Sequence, residues 1–152
     1  MPNAIEIGTE AALAQARKSL AEGGIPIGSC LMIGDTVIAV GHNRRIQRDS
    51  NILHGETDCI ERAGHSFDLT RATIFSTLSP CTMCAGAIIL FGIPRAVILD
   101  AENTGDFVTG EDHLRQAGVD VVIRPDPRIV EMNLRFQTDP ETRPRWLGDV
   151  GK

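Results

Sequence analysis

Residues 72–98 read ATIFSTLSPCTMCAGAIILFGIPRAVI, and their order decides the fold. The β-branched and aromatic residues of 72–78 predict a strand. Ser79 and Pro80 then predict a helix start, with Ser79 as N-cap and Pro80 in the first turn. The helix over 81–92 stops at Gly92, and RAVILD (95–100) is the next strand. Toward the N-terminus, ILHGETDCIERAG (52–64) reads as a helix closed by Gly64, and GHNRRIQRDSN (41–51) as a polar loop. IGSCLMI (27–33) and TVIAVG (36–41) are β-prone runs on either side of Gly34-Asp35, a hairpin signal. A helix over 6–22, rich in Ala, Glu, Lys and Leu, precedes them and ends at Gly23-Gly24. Toward the C-terminus follow a short helix (GEDHLRQAG, 110–118), a strand (VDVVIRP, 119–125) and a helix (DPRIVEMNLRFQTD, 126–139). The tail RPRWLGDVGK (143–152) holds the one tryptophan, Trp146. Strands alternating with helices after an opening hairpin predict an α/β fold. The expected form is a three-layer α/β/α sandwich with a mixed sheet of about five strands.

A chain of 152 residues fits one domain, expected over 1–152. At this length folding buries roughly 68–70% of the unfolded surface, so a core forms without disulfides. The first residues lack the basic start and apolar run of a signal peptide. The apolar stretch AGAIILFGI falls well short of the ~20 residues that span a bilayer. No membrane partner and a cytoplasmic location are expected. Net charge is −5 with a pI near 5.3, which disfavours a nucleic-acid partner. Arg44, Arg45 and Arg48 are the one local basic group, read as a solvated loop or a phosphate contact.

Two short motifs carry chemistry: His54-Gly55-Glu56 and Pro80-Cys81-Thr82-Met83-Cys84. Catalytic zinc takes three nitrogen or sulfur ligands and keeps one position for water, and His54, Cys81 and Cys84 supply such a set. The two thiols stand about one turn apart on one helix face, where the positive helix end favours thiolates. Zinc brings a bound water toward hydroxide at neutral pH. Glu56, two residues from His54, is placed to take and return protons as the catalytic acid and base. Two other readings compete. A C-x-x-C at a helix start also suits thiol–disulfide exchange, although that chemistry needs neither His54 nor Glu56. A closed structural zinc site would need a fourth ligand such as His42, His65, His113 or Cys59, and the sequence singles none out. Cys30 and Cys59 read as small buried hydrophobes.

His-x-Glu followed by Pro-Cys-x-x-Cys is the signature of the zinc deaminases that act on nucleobases. The chain resembles the cytidine deaminase-like superfamily, and within it the fungal-type cytosine deaminases, from about Gly23 to Gly151. The resemblance rests on EGGIPIGSCL, GHNRRIQ, LHGE, TLSPCTMCAGAIILFGIPRAV and WLGDVG. It implies hydrolysis of cytosine to uracil and ammonia with one zinc ion per subunit, Glu56 shuttling protons, and a homodimer. It further implies that Asn43 and the Gly55 amide bind the ring carbonyl and a ring N–H, and that Ser79 offers its carbonyl to the departing amine. Asp149 would accept a hydrogen bond from the base, Trp146 would close the pocket, and Ile27 would pack near the ring. Around TGDFVTGEDHL the chain departs from the family, because Phe107 is offset by one position from the family's pocket-facing phenylalanine. Another base therefore stays open as substrate, with guanine deaminases the main alternative. tRNA adenosine deaminases share the metal motifs but hold a polyanion, which suits an acidic chain poorly.

Overall fold

The computed structural model describes residues 1–105 and 107–150, with side chains through Gly148. Five strands, β1 (Gly28–Ile33), β2 (Thr36–His42), β3 (Ala72–Ser76), β4 (Arg95–Ile98) and β5 (Asp120–Ile123), form one sheet in the order β2-β1-β3-β4-β5. β1 runs antiparallel to both β2 and β3, while β3, β4 and β5 are mutually parallel. The sheet is mixed, as expected. The β1–β2 hairpin turns at Gly34, whose φ of +62° suits a residue without Cβ.

Alternation along the strands divides the core into two layers. Leu31, Ile74 and Ala96 face α3 (Gly55–Ala63), α4 (Thr82–Leu90) and α5 (Glu111–Gln116), packing with Cys59, Ala85, Ile88 and Leu114. Cys30, Met32, Phe75 and Val97 face the opposite way, against Ala12 and Leu13 of α1 (Ala4–Ala21) and Ile129 of α6 (Pro127–Thr138). A side chain such as Ile88, fully buried, contributes about 1.5–3 kcal/mol through apolar burial. Burial pushes the Cys30 thiol up to about 12 and holds Cys59 well above its ordinary value, so both remain neutral core residues.

Three local expectations differ from the structure. The expected loop 41–51 contains a helical turn, α2 (Arg45–Arg48), opened by the Asn43 side chain accepting the Arg45 N–H at 3.1 Å. The helix expected from residue 52 begins only at Gly55, since the Leu53 carbonyl is taken by the Arg44 N–H. Ser79 is not the N-cap of α4; Cys81 is. Ser79 instead donates its N–H to the Asp100 carbonyl and its hydroxyl to Glu111. The tail adds a helix, α7 (Arg143–Val150), which the buried Trp146 docks against Ile25, Leu78 and Phe136.

β2 lies close enough to α3 to leave no room for a side chain at Gly41. A Cβ there would meet the Cys59 nitrogen at 2.3 Å and the Gly55 carbonyl oxygen at 2.8 Å, both backbone atoms. Gly41→Ala is therefore expected to push α3 off the sheet, at a cost of about 1–3 kcal/mol. Thermal unfolding followed by circular dichroism should show a lower Tm; an unchanged Tm would refute the tight β2–α3 contact.

Candidate active site

α3 and α4 both start at the same end of the sheet, and each presents a candidate ligand at its N-cap. His54 (φ −74°, ψ 173°) and Cys81 (φ −74°, ψ 176°) are both extended, so the chain turns into each helix immediately after them. Cys84 follows one turn along α4. The His54 Nδ1 lies 3.5 Å from Cys81 Sγ and 3.6 Å from Cys84 Sγ. All three donor atoms fall within 4.8 Å of one another. Bonds of about 2.0–2.1 Å to nitrogen and 2.3 Å to sulfur at tetrahedral angles require an N···S edge of about 3.5 Å. The residues fit zinc.

The same convergence sets the charges. The hydrogen bond from Cys84 holds the Cys81 thiol down to about 4, with His54 adding to the effect against the cost of burial. Cys84, the donor to Cys81 and itself buried, is held well above its ordinary value. Two thiols this close share one negative charge until a cation joins them. Burial pushes the Glu56 carboxyl up to about 7, the Cys81 sulfur pushing the same way and His54 opposing.

His54, Glu56, Ser79 and Cys81 form the polar side of a cavity of about 70 Å³. Ile27, Leu78, Phe107 and Trp146 form its apolar side. The Phe107 and Trp146 rings meet edge to face, with centroids 6.4 Å apart at 69°. Phe107 thus reaches the cavity despite its offset in the sequence. Trp146 lines the cavity and also packs α7 onto Ile25, Leu78 and Phe136.

Asn43 and Gly55 both stand against Ile27, a residue of the cavity wall. The Asn43 N–H donates to the Ile27 carbonyl at 2.9 Å, and Gly55 packs on the same carbonyl. The Asn43 Nδ2 is buried and has no hydrogen-bond partner. The Asp149 side chain lies outside the described residues. Among the candidate fourth ligands, His65 and His113 are exposed and Cys59 is in the core, while the His42 ring is held by Gln15 and Glu22. Among the described residues the metal-binding group has three members.

Sequence reasoning missed Leu78, Glu111 and Asp58. Leu78 reads as the end of a strand, and only the bend after Ser76 turns it into the cavity. Glu111 accepts the Ser79 hydroxyl at 2.7 Å, beside a Gly110 N–H that donates to the Pro80 carbonyl at 2.7 Å. Asp58, a charged residue within the run read as a helix, is fully buried. Its i,i+4 spacing to Arg62 was the one available signal.

Residues 3–100 match the cytidine and deoxycytidylate deaminase zinc-binding region. The chain is 44% identical to a cytosine deaminase of Candida albicans over 149 residues, covering 95% of each chain. It is 36% identical to a tRNA-specific adenosine deaminase of Bacillus subtilis over 95 residues, 60% of this chain and 59% of that one. A solved tRNA:A34 deaminase superposes with a TM-score of 0.68 at 29% identity, covering 84% of this chain and 96% of that chain. A guanine deaminase of Nitrosomonas europaea shares the fold, with a TM-score of 0.70 at 18% identity over 83% of this chain and 80% of that one. With three metal-binding donors converging beside a buried glutamate, this chain belongs to the zinc-dependent cytidine and deoxycytidylate deaminase family.

Proposed function

We propose that the protein hydrolyses free cytosine to uracil and ammonia, with residues 1–152 acting as one deaminase domain. The observation that carries this reading is the buried Glu56 beside His54, Cys81 and Cys84, in a small cavity with apolar walls. Likeness to the Candida enzyme over 95% of the chain supports cytosine as the base.

His54, Cys81 and Cys84 would hold one zinc ion per subunit. When bound, zinc acts as a Lewis acid that lowers the pKa of a water to about 7. Glu56 takes a proton from the attacking water and places it on ring N3 as the new C4–O bond forms. It then carries the proton of the new C4 hydroxyl to the exocyclic amine, the C4–N bond breaks, and ammonia departs as the C4 carbonyl of uracil forms. Ser79 offers its backbone carbonyl to that amine. Its own N–H is bonded to Asp100 and its hydroxyl to Glu111, so the segment is fixed from both sides. Asn43 Nδ2, lacking a partner in the fold, would donate to the ring carbonyl, and the Gly55 amide would hold the ring edge. Ile27, Leu78, Phe107 and Trp146 exclude water, which strengthens each of these polar contacts.

The substrate in this reading is a free base rather than tRNA, since the site is walled by apolar side chains and the chain is acidic. We further propose a homodimer, supported by the exposed Leu90 and Phe91 at the end of α4. Among the described residues no helix is long and apolar enough to cross a membrane. Thiol ligands call for a reducing compartment, which supports a cytoplasmic location.

Zinc-loaded protein should release ammonia from cytosine and form uracil, leaving guanine, cytidine and tRNA unchanged. Turnover of guanine or tRNA in place of cytosine would contradict the assignment. Glu56→Ala should keep one zinc per chain by metal analysis yet lose roughly 10²–10⁴-fold in kcat. Full activity in that variant would remove Glu56 from the mechanism.

A further inference from the structure

One buried carboxylate on α3 grips the loop that carries Asn43 from both sides. Asp58 is fully buried, one turn beyond His54, whose carbonyl accepts its N–H at 2.9 Å. Its Oδ2 accepts the His42 backbone N–H at 3.0 Å and faces Arg62 Nε at 3.3 Å. Its Oδ1 accepts Arg44 Nε at 3.1 Å and Arg44 Nη2 at 2.8 Å. His42 and Arg44 are the two chain neighbours of Asn43, so the carboxylate brackets that residue.

Asn43 is itself tied at every polar group but one. Its N–H goes to Ile27, its carbonyl accepts the Ser19 hydroxyl at 2.7 Å and Gln47 Nε2 at 3.2 Å, and its Oδ1 accepts the Arg45 N–H. On the far side the His42 ring is held by Gln15 at 3.1 Å and Glu22 at 2.8 Å. Nδ2 alone is left without a partner. A buried donor is costly to leave unpaired, and so much fixation around it aims it at an acceptor that arrives with a ligand.

We propose that Asp58 is a positioning residue for substrate: through Arg44 and the His42 amide it fixes Asn43 so that Nδ2 meets the ring carbonyl oxygen. The inference rests on the cytosine reading above. The same carboxylate joins the base-reading loop to the helix that carries Gly55 and Glu56, so the groups that hold the ring and those that move its protons keep one spacing. Two guanidinium groups and an amide offset its buried charge, which lets a rigid anion stand there.

A double-mutant cycle on the full-length, zinc-loaded chain tests this. Asp58→Asn keeps an acceptor for His42 but removes the charge that grips Arg44. Arg44→Ala breaks the same contact from its more exposed end, and it answers the question if Asp58→Asn does not fold. Calorimetric binding of uracil, which keeps the ring carbonyl, should weaken roughly 10–100-fold in each variant, with zinc content unchanged and KM for cytosine rising more than kcat falls. In an Asn43→Ala background the same changes should weaken uracil binding less than about 2-fold further, because their route to the base is gone. Equal losses in both backgrounds would make Asp58 a mere staple of the fold and overturn the inference. Wild-type turnover with variants that bind uracil as tightly as wild type would overturn it alone. A wild-type protein that neither deaminates cytosine nor binds uracil would overturn the functional reading and this inference with it.

Discussion

An imidazole and two thiols reach within 4.8 Å of one another only because two helices begin at the same edge of one sheet. That constraint reaches far into the chain. α3 has to lie flat on β2, which excludes a side chain at Gly41. α4 has to cross between the parallel strands β3 and β4, which places its N-terminus where β3 ends. Segment 109–111 then pins the Cys81 loop through an isolated bridge from Thr109 to Cys81 and the Gly110 N–H on Pro80. Each contact is ordinary in strength, and together they hold three donors at the spacing a tetrahedral ion needs.

Electrostatics follow from that geometry. Burial disfavours the charged form of Glu56, and the adjacent sulfur repels it further. A carboxyl so placed sits close to neutrality, where a group can both accept and return a proton. Asp58, two residues along the same helix, has the opposite surroundings, with two guanidinium groups and a backbone N–H around it. One helix therefore carries two buried carboxyls, one suited to moving protons and one to holding still.

The chemistry was legible in the sequence because it sits in contiguous motifs whose ligand types and spacing admit few uses. The sheet was legible for a similar reason, since β-branched runs and glycine punctuation mark most strands locally. What was not legible depends on distant partners. Ser79 reads as a helix cap, but Asp100 and Glu111 claim its polar groups and pass the cap to Cys81. The tail contains Pro144 and Gly148, poor helix formers, yet forms α7 because Trp146 finds a pocket made by Ile25, Leu78 and Phe136. Asp58 resembles any surface acid until Arg44 and the His42 amide fold over it. Asn43 was expected at the base, and the structure buries it against Ile27 with Nδ2 unpartnered, a detail no local pattern carries.

The claim on which the rest stands is that this chain offers zinc three ligands and leaves one position open. X-ray absorption at the zinc edge of the loaded protein measures this directly. The account predicts one zinc per chain with two sulfur neighbours at about 2.3 Å and two lighter neighbours at about 2.0–2.1 Å. One lighter neighbour would be His54 and the other a water that exchanges with solvent. A third sulfur, a second histidine, or protein that takes up no zinc would contradict it.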